Sequence, residues 1–133
     1  MKTRAWAAVA AAMGAALAGA TAAHAQQVSF ARDIVPVLRT RCATCHLTGD
    51  EPGGMKLYPA AAYRSIVKVR SKGSPLQLVV PGDPAGSYLL HKIEGTHLDS
   101  GGNGVRMPFA QPPLEDETRD RIRAWIADGA KDN

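Results

Sequence analysis

The chain has 133 residues, 16 basic against 12 acidic for a formal charge of +4, and only two cysteines, Cys42 and Cys45. That length holds one small domain with a modest core, not several domains. Charges of both signs are mixed along the chain with no long basic arm, so the positive balance is no argument for nucleic acid as a partner.

The N-terminus reads as a targeting segment. Lys2 and Arg4 form a positive n-region, Ala5–Ala20 is an alanine-rich apolar run, and Ala23-His24-Ala25 is a small-x-small cleavage site. We expect residues 1–25 to be a cleaved secretory signal peptide, leaving Gln26 as the new terminus and residues 26–133, 108 residues, as a single domain. The alternative, a retained membrane anchor, is disfavoured because the run is shorter than the roughly 20 residues of a spanning helix. No cysteine lies near the cut, which argues against a lipid-attached terminus. Losing Lys2 and Arg4 reduces the basic residues from 16 to 14 against 12 acidic, a charge of +2.

Ser29 caps a helix expected over about 30–41, with Ile34, Val37 and Leu38 on its apolar stripe and Pro36 tolerated only in a first turn or at a bend. This helix ends at Cys42-Ala43-Thr44-Cys45-His46. CxxCH is the c-type haem attachment pattern: two thiols add across the vinyl groups and the adjacent imidazole ligates the iron. A helical turn places thiols three residues apart on one side. CxxC also occurs as a thioredoxin-like redox pair, but that needs a turn between a strand and a helix, and no such pattern surrounds it. Zinc is the other alternative, with Cys42, Cys45, His46 and one of His91 or His97 as four ligands.

Residues 47–57, with Gly49, Asp50, Pro52, Gly53 and Gly54, read as irregular turns. A short helix is expected over Pro59–Val69 with Ala62, Tyr63 and Ile66 inward, and a loop over 71–82 that buries Leu76, Leu78, Val79 and Val80. Asp83 as cap and Pro84 at the first position predict a helix over about 84–94, closed by Gly95, with Tyr88, Leu89 and Ile93 in the core. Residues 95–113 hold four glycines and three prolines and form a long loop, a length that in a compact domain calls for a functional reason such as wrapping a cofactor. The last helix is amphipathic over about 116–128, with Ile122, Trp125 and Ile126 on one face, Asp116 as cap and Gly129 as stop.

Taken in order, Phe30 to Leu38 leading into the CxxCH, then Val80-Pro81-Gly82-Asp83-Pro84, then Met107-Pro108, then a closing helix with Ile122, Trp125, Ile126, Gly129 and Ala130, the chain resembles the small soluble class I cytochrome c family. The similarity covers nearly all of residues 28–130. The resemblance implies an all-α, cytochrome c-like fold, three to five helices around one covalently attached haem c, with the first and last helices crossing at Trp125. It implies single-electron transfer by a non-enzymatic carrier, which the export signal places in the periplasm of a Gram-negative type of cell. Glu115, after Leu114, departs from the serine, threonine or aspartate the family often has there.

The residues themselves leave four candidates for the iron position opposite His46: Met55, His91, His97 and Met107. A thioether is a soft, neutral ligand that favours ferrous iron, whereas a second imidazole stabilises the ferric state. The resemblance places Met107, followed by Pro108, in this role. It also suggests that the Pro52 carbonyl accepts from His46 Nδ1, and Tyr63, Tyr88 or Arg106 is in range of a propionate only if the fold brings it there. His97 reads as a solvated loop residue and Met55 as a gap-filling apolar side chain.

Arg64, Lys68, Arg70 and Lys72 crowd a short stretch, either as a solvated helix end or as a docking patch for an acidic redox partner protein. Two other functions share these motifs: a dedicated haem subunit of a periplasmic dehydrogenase or oxidase complex, and a haem sensor whose sixth iron position is open. Nucleic acid binding and stable membrane insertion after signal cleavage are not expected.

Overall fold

A computed structural model describes residues 27–133. The expected signal peptide lies outside the described residues, and no helix among them is long and apolar enough to cross a membrane. The backbone from Phe30 to Arg41 is helical as expected, but in two parts: a π-helical turn over Phe30–Ile34, then α1 over Val35–Arg41. Ser29 caps the start, its hydroxyl accepting from the Arg32 amide at 3.2 Å. Pro36 falls in the first turn of α1, directly after the π-helical turn.

The middle of the chain is less helical than its pattern suggested. α2 spans only Ala62–Ile66, against an expected 59–69. Val67 turns extended, and the following residues pair with a later segment: the Lys68 amide donates to Val79 O at 2.9 Å and the Leu78 amide to Val69 O at 2.7 Å. β-branched Val67 and Val69 lose little by this exchange. The described residues contain isolated bridges of this kind and no strand.

α3 spans Tyr88–Glu94 and starts four residues later than Asp83-Pro84 predicted. Asp83 caps a turn instead, its Oδ1 accepting from the Gly86 amide at 3.0 Å. Ser87, fully buried, accepts from the Val80 amide at 2.9 Å and donates to Asp83 O at 2.7 Å. The Tyr88 and Leu89 amides donate to Gln77 O and Leu78 O, so segment 77–78 satisfies the orphan donors of the helix start. Gly95 closes α3 with φ +85°, as expected.

α4 spans Asp116–Ala127. Its cap position is Glu115, which makes no side-chain capping bond, while Asp116 is the first helical residue and pairs with Arg119. The stop at Gly129 is a Schellman turn: φ is +97°, the Ala130 amide donates to Trp125 O and the Gly129 amide to Ile126 O.

The core gathers at the crossing of the first helical segment with α4. Trp125 is 1% exposed and its ring lies 5.1 Å from that of Phe30. Tyr63 meets Phe30 edge-on at 5.2 Å and donates its hydroxyl to Ala130 O at 2.8 Å. Ile34, Leu38, Ile66, Val79, Leu90, Ile93 and Ile126 complete the apolar interior. α3 lies along α4, joined at the surface by the Arg123–Glu94 ion pair.

Candidate functional site

α1 delivers the cysteines to a cavity. Cys42 ends the helix, its amide bonded to Leu38 O at 3.0 Å, and the Cys45 and His46 amides both return to Cys42 O at 3.1 Å. This turn puts Cys42, Cys45 and His46 on the wall of one cavity of about 440 Å³, within the usual range of ligand pockets. Leu57, Leu78, Leu89, Ile93 and Pro108 give it an apolar lining.

The loop over 95–113 forms much of the remaining wall and brings Met107 to the cavity. The Met107 amide donates to Lys92 O at 2.9 Å, which ties the loop to α3. Met55 also lines the cavity, so the fold brings both methionines to the cysteines. The two histidines considered as ligands, His91 and His97, are elsewhere. His91 Nδ1 is 2.8 Å from the Thr96 hydroxyl and its Nε2 2.8 Å from Ala85 O. His97 is not the solvated residue its sequence context suggested: it is 3% exposed and its Nε2 is 3.0 Å from Gly104 O. The loop folds around it, with the Ser100 and Gly102 amides both donating to His97 O.

His46 Nδ1 is buried without a hydrogen-bond partner, so the expected bond to the Pro52 carbonyl is not formed. Pro52 and Gly53 do line the cavity beside the imidazole, but their turn closes around Glu51. That carboxylate accepts from the Thr48 amide at 3.0 Å, the Thr48 hydroxyl at 3.0 Å and the Gly49 amide at 2.9 Å. These bonds, led by that from Thr48, hold the Glu51 carboxyl down at about 2. Burial lowers the His46 pKa, favouring the neutral imidazole that a metal requires.

Burial also pushes the Cys42 thiol up to about 11. Redox-active CxxC pairs need the reverse, a thiolate stabilised at neutral pH. Among the described residues no three or more His, Cys, Asp or Glu side chains are arranged to hold a bare metal ion, and the zinc alternative lacks its fourth ligand because His91 and His97 do not line the cavity. Imidazole, thiols and thioethers facing an apolar volume are soft or borderline donors, unlike the oxygen cages that hold hard cations.

The ionisable lining beyond the CxxCH is cationic: Arg41, Lys72 and Lys92, with no Asp or Glu. Sequence reasoning missed Arg41 and Lys92 here; adjacency to Cys42 was the one available signal for Arg41, and for Lys92 there was none. Of the three residues considered for a propionate, Tyr88 reaches the wall, its hydroxyl donating to Gly73 O at 3.2 Å. Tyr63 is committed to Ala130 at the helix crossing. The Arg106 guanidinium stays with its own loop, 3.4 Å from Met107 O and 3.4 Å from Gln111 O. Arg64, Lys68, Arg70 and Lys72 are all exposed, and the ion pairs of the described residues involve none of them. No protein-family model, curated protein or solved structure matches the chain.

Proposed function

We propose that this protein is a class I cytochrome c: a periplasmic single-electron carrier that would hold one haem c through Cys42 and Cys45, with His46 and Met107 as the side chains that would ligate its iron. One observation carries the reading: the CxxCH turn and Met107, 61 positions apart from His46 in sequence, meet on the wall of a single apolar cavity. The apolar walls and the acid-free cationic lining fit a large apolar group that bears carboxylates.

When bound, the haem supplies an iron that takes up and releases one electron. The chain supplies the rest. Cys42 and Cys45 would hold the group covalently and His46 and Met107 would supply its protein ligands, a set that would leave little to rearrange on electron transfer. The Met107 thioether, soft and neutral, favours the reduced state. Leu78, Leu89 and Ile93 give the group an apolar wall, and Arg41, Lys72 and Lys92 offset negative charge there.

The test is an absorption spectrum and redox titration of the purified mature protein, with Met107→Ala and Met55→Ala variants. The expected result is covalent haem and a far-red sulfur-to-iron band in the ferric protein, lost in Met107→Ala and kept in Met55→Ala. A band that survives Met107→Ala overturns the ligand assignment; haem-free protein from cells able to attach haem overturns the function. Rapid, complete carbon monoxide binding by the reduced wild type would favour the sensor instead.

A dedicated haem subunit of a periplasmic dehydrogenase or oxidase complex is the second reading. It is favoured by Val105 and Phe109, which line the cavity yet are 50% and 65% exposed, an apolar rim suited to a partner. The native particle mass distinguishes the two: a free carrier runs as a single small chain.

A further inference from the structure

The wall that presents Met107 is built from a loop with little structure of its own. Gly101 and Gly104 both have positive φ, and no helix or strand runs through it. Met side chains are flexible, and a thioether is a weak donor, so the loop must be held if the sulfur is to stay in place.

Lys92 makes that hold at three points. Its carbonyl accepts from the Met107 amide at 2.9 Å. Its ammonium donates to Asn103 O at 2.7 Å and to Val105 O at 2.7 Å. These carbonyls lie four and two residues before Met107 in the chain. The lysine is itself held firmly: α3 buries Tyr88, Leu89 and Ile93 on either side of it in sequence. Gly104, between the two carbonyls, takes φ +74°, a left-handed conformation that other residues adopt only with strain. Carbonyls that converge on one ammonium draw the loop inward around a single charge, and charge-assisted bonds of this kind are stronger than neutral ones.

We propose that Lys92 is the positioning residue for Met107: its ammonium clamps the Asn103–Val105 backbone and thereby holds the thioether at the cavity. The assignment rests on the proposed function in one respect, that Met107 is the ligand being held. The clamp on the loop is independent of it.

Lys92→Met keeps a similar apolar stem and removes all three donors; Lys92→Arg restores a cationic donor. Two readouts separate the claims. Amide hydrogen exchange over residues 103–107 reports the clamp, and Lys92→Met should accelerate it by roughly tenfold or more, the value of losing a charge-assisted bond, with Lys92→Arg returning most of the protection. The ferric far-red band and the affinity for added imidazole report Met107. In Lys92→Met the band should weaken and imidazole should bind roughly tenfold tighter, while haem stays covalently attached and the circular dichroism is unchanged. Unchanged exchange in Lys92→Met overturns the proposal, as does accelerated exchange with the wild-type band and imidazole affinity retained. If the wild type has no such band, the ligand reading fails and with it the role of Lys92 toward Met107. The exchange data would then show only a loop clamp.

Discussion

Replacing Trp125 tests whether the crossing of the first helical segment and α4 is the mechanical centre of the domain. The side chain is 1% exposed, lies 5.1 Å from the Phe30 ring and donates Nε1–H to Lys131 O at 2.9 Å. Truncating a buried tryptophan to alanine costs about 3–5 kcal/mol, a large share of the roughly 5–15 kcal/mol of a typical domain. Trp125→Phe keeps a ring against Phe30 but drops the hydrogen bond and part of the buried surface, so it should cost about 1–2 kcal/mol. Equilibrium urea unfolding followed by far-ultraviolet circular dichroism measures both. Because Trp125 does not line the cavity, the visible spectrum of the folded variants should match wild type. An alanine cost below about 1.5 kcal/mol, or equal costs for the two variants, would refute the assignment of the crossing as the centre of stability.

The Glu51 turn predicts a pH dependence. Its folded carboxyl sits at about 2 against an ordinary 4.5, so the turn contributes stability above about 4.5 that is lost as pH falls toward 2; urea midpoints of Glu51→Gln should be flatter than wild type across that window, and parallel profiles would contradict it. Asp33, also held low by its bond to Arg32 and the Ser29 amide, keeps its share in both proteins. Ser87→Ala leaves the part-buried Val80 amide without its 2.9 Å acceptor and should cost about 1–2 kcal/mol in the same assay; a neutral result would show that the turn relaxes around the loss. Reversing Lys68 and Lys72 to glutamate should slow bimolecular electron transfer with an acidic partner several-fold at low salt and little at high salt. A rate that does not move at low salt removes this patch from docking.

The departures from expectation share a cause. The Pro59–Val69 and 84–94 patterns are helical by local preference, yet both helices are shortened where their backbone groups find long-range partners. Val67 leaves α2 because its neighbours pair with segment 78–79, and α3 starts at Tyr88 because Gln77 and Leu78 carbonyls take the amides of Tyr88 and Leu89. Asp83-Pro84 is a sound start signal, but Asp83 spends its carboxylate on Gly86 instead. His97 looked solvated among glycines and polar residues; only the closure of the loop around it makes it interior.

What the sequence determined by itself was local chemistry: the helix leading to Cys42, the three-residue spacing that sets both thiols on one side, the glycine stops at Gly95 and Gly129, and the apolar face of α4. These follow from dihedral preferences and the 3.6-residue period, which act over a few neighbouring residues. The tertiary structure decided which distant residues share a wall. It brought Met107 and Met55 to the CxxCH, kept His91 and His97 away, withheld the Pro52 carbonyl from His46, and set Arg41, Lys72 and Lys92 around the cavity. Those outcomes depend on loop paths and long-range backbone bonds, where the order of residues leaves many arrangements open and packing selects one.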